Sequence, residues 1–314
     1  MRAMVYKSYG SSPELAELPR PKPTTGQVLV AVRASSVNPV DWKVARGDIR
    51  MLTLFPFPRV PGLDVAGEIV EVGAGVKGFL VGQKVHARIG DLKGGACAEF
   101  ALVGVEVLTG MPQGMDFPTA AAIPLAGMTA LQGLRDACAM PMSGATQRVL
   151  IVGASGGVGH LGVQIAVAAG AHVTGVCSGR NAELVRGLGA HAVIDYTQPD
   201  AFAGQAPFDI ILDCVGGSHS PWLPRLQSDG HFASVVPGPA VIGRSLLNAF
   251  RGQKVHPVLL KPNAPDLALL DGLFAAGKLR CVIDSHFSLD QLGQAWTRSI
   301  SGRATGKIVI DVHA

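Results

Sequence analysis

Three observations in the 314-residue sequence predict an α/β protein that joins a β-rich unit to a doubly wound parallel sheet. Up to about residue 118, short β-branched runs succeed one another between Gly and Pro, with no helical period. Beyond it, strand and helix patterns alternate, as in parallel strands joined by crossover helices. At 153–159 a glycine-rich loop ends an apolar strand and opens an amphipathic helix.

In chain order, the runs at 28–32, 67–72, 81–88 and 97–103 read as strands, with turn signals at Pro21-Lys22-Pro23 and Gly94-Gly95. Short strands with no helices between them favour a compact, partly closed all-β unit. Residues 119–137, rich in Ala and Leu at helical spacing, read as a helix. A strand at 149–152, a helix at 158–169, a strand at 172–177, a helix at 181–188 and a strand at 192–195 follow. Further strands are expected at 210–214 and 232–236. The tail is mixed, with helices at 266–276 and 289–301 and a last strand at 307–312. These breaks predict one domain made of 1–120 and 256–314 and another made of 121–255.

Composition narrows the function classes. Hydrophobic residues make up 48% and charged residues 16%, which argues against disorder. The net charge of +4 is not gathered into a basic run, so a nucleic-acid role has no footprint. None of the five cysteines stands in a CxxC pair, and the N-terminal segment has no apolar core of a secretory signal. The expected setting is a reducing, cytoplasmic one. The apolar stretch at 149–176 is broken by Gly153, Gly156, Gly157, Gly159 and Gly162, so membrane insertion is not expected.

The sharpest motif is Gly153-Ala154-Ser155-Gly156-Gly157-Val158-Gly159. A pyrophosphate needs close approach to backbone, which side chains would prevent, and a helix N-terminus supplies N–H donors and a favourable dipole. Ser155, Gly156, Gly157, Val158 and Gly159 are therefore the cofactor-binding candidates. The next strand ends Cys177-Ser178-Gly179-Arg180, without the carboxylate that holds the ribose diol of NAD. Ser178 offers a hydroxyl and Arg180 a guanidinium suited to a 2′-phosphate, so the expected cofactor is NADPH. The alternative for Arg180 is an ordinary solvent-exposed helix-start residue.

The chain resembles the medium-chain dehydrogenase/reductase superfamily, in its zinc-free quinone oxidoreductase and enone reductase branch, near the chloroplast-envelope quinone oxidoreductase homologues. The resemblance spans the chain and rests on Ser35-Ser36-Val37-Asn38-Pro39-Val40-Asp41-Trp42-Lys43, on Val60-Pro61-Gly62-Leu63-Asp64-Val65-Ala66-Gly67, on the 153–159 loop and on Ala304-Thr305-Gly306-Lys307. It implies a GroES-like catalytic domain, a Rossmann domain inserted before the C-terminal segment, and a homodimer. It also implies cofactor contacts at Thr129, Tyr196, Val215 and Val235, each of which has an ordinary packing alternative. Where the zinc-containing relatives place Cys and His ligands, this chain has Asn38 and Leu63, and their third ligand falls near Leu125. Leu has no lone pair to give, so no metal is expected.

Without a Lewis acid, simple alcohol oxidation loses several kcal/mol of charge stabilisation. Hydride delivered to a quinone, or to the β-carbon of an enone, spreads the new charge onto an oxygen that a hydrogen-bond donor can hold. The catalytic candidates are Asn38, as a donor, and Lys43, as an electrostatic or proton-donating group. Their alternatives are a turn residue ahead of Pro39 and a surface lysine. Two rival functions stay open: a relative of the zinc-type alcohol dehydrogenases, and a non-enzymatic NADPH-binding protein of the crystallin kind.

Overall fold

The β-branched runs near the N-terminus become one mixed sheet, longer-stranded than their alternation implies. The computed structural model describes residues 1–217 and 219–312. Two units separate by contact: Met1–Leu125, Pro262–Ala275 and Cys281–Ala314 form the first, and Ala126–Lys261 with Ala276–Arg280 the second.

In the first unit the run at 28–32 is the middle of an 11-residue strand, Gln27–Val37. It pairs antiparallel with Asp64–Val72, Phe100–Gly104 and Lys307–Asp311, and so sits at the centre of a seven-stranded sheet. Ile283–Ser288 extends one side in parallel with Lys307–Asp311, while Lys84–Arg88 and Leu108–Gly110 extend the other. Val28, Val30, Val32, Val65, Ile69, Val85, Ile308 and Ile310 fill the core below it. Each such side chain contributes about 1.5–3 kcal/mol on full burial. Helix Leu292–Ile300 closes the core with Leu292, Ala295 and Trp296, an i, i+3, i+4 stripe.

Two expected strands start later than their composition suggests. Val81 is exposed, and Gly82 at φ 87° turns the chain before Lys84. Cys97 spends its amide on Pro61 and its carbonyl on Met4, so regular pairing begins only at Phe100. Helix Pro39–Arg46 was not among the expected elements. Pro39 starts it, the Asp41 carboxylate accepts from the Asn38 amide at 2.7 Å, and Gly47 ends it at φ 91°. Trp42 anchors it by an indole N–H bond of 3.1 Å to Ser299.

The second unit is a six-stranded sheet, parallel throughout. Its order is Ala192–Asp195, His172–Cys177, Arg148–Val152, Phe208–Asp213, Leu226–Ser234 and Lys254–Pro257. Leu150, Val176, Ile194, Phe208, Ile211 and Phe232 form its core. The expected α/β architecture is the one observed, a GroES-like β-rich unit and a Rossmann-type parallel sheet. The helix expected over 119–137 is in fact three pieces, Phe117–Ala122, Pro124–Gln132 and a wide turn at Gly133–Ala137. Pro124, which has no amide to donate, divides the first two. Among the described residues no helix is long and apolar enough to cross a membrane. The apolar stretch at 149–176 is the end of one strand, helix Gly159–Ala169 and most of the next strand.

Candidate active site

In the second unit, most of the expected cofactor residues follow the C-terminal ends of neighbouring strands. Register sets Val152 beside Val176 and Asp213, Cys177 beside Asp195 and Asp213 beside Ser234 at one edge of the sheet, and the 153–159 loop, Ser178, Arg180, Tyr196, Val215 and Val235 come just after these strand ends. Ligands of open parallel sheets bind at this edge. Gly153 turns at φ 74°, and its amide and that of Ala154 both donate to the Val176 carbonyl. A Cβ at Gly159 would fall on the Gly153 carbonyl oxygen, so only Gly lets the helix begin this close to the loop. No side chain caps helix Gly159–Ala169, and among the described residues the amides of Gly157 and Val158 have no acceptor. Unspent donors at a helix start fit an anionic pyrophosphate. Val215 is exposed and packs toward Gly153, whose Cβ would lie 2.8 Å from its methyl. Val235 is half-buried, Tyr196 is 62% exposed, and Thr129 is buried on helix Pro124–Gln132.

Three further residues shape this edge and were not read from the sequence. Asn181 donates to Ser155 Oγ at 2.9 Å, tying the glycine loop to the turn after the second strand. Asp213 is buried and accepts from the amides of Val215 and Gly216 at 3.0 and 3.1 Å, fixing the turn that carries Val215. Its signal was a polar residue ending an apolar strand. Asp195 is the third. The second strand does end without a carboxylate, yet Asp195 on the neighbouring strand reaches its turn, 2.5 Å from where a Gly179 Cβ would be. Hydrogen bonds from the Thr197 amide and hydroxyl hold this carboxyl below the usual range. Ser178 is half-buried and Arg180 is exposed with no ion pair among the described residues.

In the first unit Asn38 lies in a buried polar cluster. Asp64, fully buried, accepts from Ser36 Oγ, Asn38 Nδ2 and the Leu125 amide at 2.8, 2.8 and 2.9 Å. Lys307, 3% exposed, stands 3.6 Å from Asp64 and donates to Asn38 Oδ1 at 2.5 Å. A buried carboxylate is tolerated only with such partners. Asp41, one helical turn from Asn38, is buried too. Its Oδ1 has no partner among the described residues, and burial pushes its carboxyl up to about 7. The structure does not join Lys43 to this cluster. Two residues beyond Asp41, it leaves the helix on another face, with Nζ 5.6 Å from the Trp42 ring centroid.

The donor set does not fit zinc. Asn38 is committed to Asp64 and Lys307, Leu63 is a buried hydrocarbon, and Leu125 offers its amide to Asp64. Among the described residues no three His, Cys, Asp or Glu stand close enough to hold an ion.

The family model for an alcohol dehydrogenase GroES-like domain matches residues 24–163, and that for a zinc-binding dehydrogenase matches 188–310. The chain is 40% identical to a chloroplast envelope quinone oxidoreductase homolog of Arabidopsis thaliana, covering 99% of this chain and 98% of that one. It is 33% identical to a 2-methylene-furan-3-one reductase of Solanum lycopersicum, covering 99% and 79%. Among solved structures, the quinone oxidoreductase from Coxiella burnetii superposes with a TM-score of 0.90 at 30% identity, covering 100% and 99%.

Proposed function

Since the chain belongs to the medium-chain dehydrogenase/reductase superfamily and is similar to its quinone oxidoreductases, we propose that it is an NADPH-dependent, zinc-independent reductase of quinones or of the conjugated double bond of α,β-unsaturated carbonyls. The observation that carries this reading is a dinucleotide loop with unspent amides in a chain whose metal-ligand positions hold Asn38, Leu63 and Leu125. The relatives named for a quinone and for a methylene ketone support both acceptor classes.

The second unit serves as the cofactor domain. Gly157 and Val158 amides hold the pyrophosphate, Ser155 and Asn181 brace the loop, and Ser178 with Arg180 take the 2′-phosphate. The first unit serves as the catalytic domain. NADPH, when bound, supplies the hydride. Asn38 offers an N–H to the oxygen on which charge gathers, while Lys43, set on another face of the helix, is left out of this step. The reading includes a homodimer, by family, and a reducing cytoplasmic setting, in keeping with five cysteines that form no disulfide among the described residues.

The test is steady-state turnover of a panel of enones and quinones with NADPH and with NADH. Reduction of members of the panel with NADPH preferred is expected. Failure on every acceptor, or a preference for NADH, refutes the proposal, and tight NADPH binding without turnover would point to the non-enzymatic alternative. Arg180→Ala should raise KM for NADPH by about tenfold or more, the scale of a lost charge-assisted contact, and leave KM for NADH nearly unchanged.

A further inference from the structure

The motif Ala304-Thr305-Gly306-Lys307 has no part in the reading above, yet its geometry is specific. Gly306 turns at φ 80°, where a Cβ would collide with the Val282 carbonyl. The Thr305 amide donates to Asp284 Oδ1 at 2.8 Å, and Asp284 is gripped in turn by Arg298 at 2.6 Å. The Lys307 amide donates to Val282 at 2.8 Å as the last strand begins. This turn sends the Lys307 side chain inward, where its ammonium meets Val37 O at 3.4 Å, Asn38 Oδ1 at 2.5 Å and Asp64 Oδ2 at 3.6 Å.

The chemistry of these partners leaves the Asn38 amide one orientation. An ammonium only donates and a carboxylate only accepts, so Oδ1 must face Lys307 and the NH2 group must face Asp64. One N–H is then spent on Asp64 and the other has no acceptor among the described residues. Reversing the amide would set its NH2 against the ammonium and its oxygen against the carboxylate, breaking two charge-assisted bonds in a buried site.

We infer that Lys307, delivered by the Thr305-Gly306 turn and paired with Asp64, is a positioning residue that locks the Asn38 amide with its second N–H directed to the acceptor oxygen. The part concerning the acceptor rests on the function proposed above; the lock itself does not. An Asn free to rotate would present an oxygen, which repels developing negative charge, about as readily as an N–H.

The test has two arms on the full-length protein. In the first, NMR follows the side-chain NH2 pair of Asn38, assigned through its Cβ. The wild type should show two separate proton signals that exchange slowly with water, and Lys307→Met should lose that protection while Lys307→Arg retains it. Where Lys307→Met fails to fold, because Asp64 is left as a lone buried charge, the neutral pair Lys307→Met with Asp64→Asn takes its place. Rapid exchange in the wild type, or an unchanged pair in the variant, overturns the lock.

In the second arm, Lys307→Met should lower kcat by about 10- to 100-fold, the usual cost of a misplaced group, with the Kd for NADPH within about twofold of wild type. In an Asn38→Ala background the same change should add nothing. Independent, multiplying losses would show that Lys307 acts on something other than Asn38. A wild type with a protected NH2 pair and no turnover would sink the reductase reading and leave the lock standing.

Discussion

Asp41 shows how one side chain can be legible as a residue and illegible as a charge. It sits in the motif that carried the family resemblance, and nothing in that motif says it is buried. Burial, with Asp64 nearby, raises its carboxyl from 3.8 to about 7, opposed by the Asn38 amide. The unfolded chain therefore gives up this proton first, so stability falls as pH rises from 3.8 to about 7, and the loss persists above that. Asp41→Asn keeps an acceptor for the Asn38 amide and removes the charge. Its urea denaturation should be less pH-dependent over that window, and at pH 8 it should exceed wild type by on the order of 1–3 kcal/mol. Parallel pH slopes for the two proteins would rule this out. Asn38 itself was readable because a polar residue stood where relatives have a ligand. Lys43 shares that segment in sequence only, and helix geometry turns its side chain toward Trp42.

Among the elements, the strand–loop–helix at 148–169 was the most legible, because apolar strand, glycines and helix start coincide there. Its glycines have different duties. Gly159 admits no Cβ, whereas a Cβ at Gly156 would meet only the Gly153 oxygen, at 3.3 Å. Gly159→Ala should therefore cost about 1–3 kcal/mol of stability, as overpacking does, and weaken NADPH binding by at least about tenfold. Gly156→Ala should fold near normally. Thermal melts and fluorescence titration with NADPH measure both, and equal behaviour of the two variants would contradict this division. Helix Pro39–Arg46 escaped the sequence because it has only eight residues and hides between two strands of one sheet. It forms because Pro39, Asp41 and Gly47 cap it and Trp42 docks it, which are tertiary reasons as much as local ones.

For the molecule as a whole, the metal-free reductase proposed here should respond to its cofactor and not to chelation. NADPH at 100 times its Kd should stabilise the protein by about 2.7 kcal/mol, a rise of a few degrees in Tm. Prolonged EDTA treatment should change neither Tm nor turnover; a loss restored by zinc would reverse the reading of Asn38 and Leu63. The two-part α/β architecture, the place of the glycine loop and the lack of ligand side chains at 38, 63 and 125 are all written in the sequence. Periodicity, glycine and residue chemistry are local properties, and one chain suffices to show them. That Asp195 comes beside the turn at Gly179, that Lys43 stays apart from Asn38 and that Lys307 meets Asn38 across 269 positions of sequence all follow from the folded arrangement. Those outcomes depend on which strands become neighbours and in what register, a cooperative choice made by burying the whole core rather than by any segment alone.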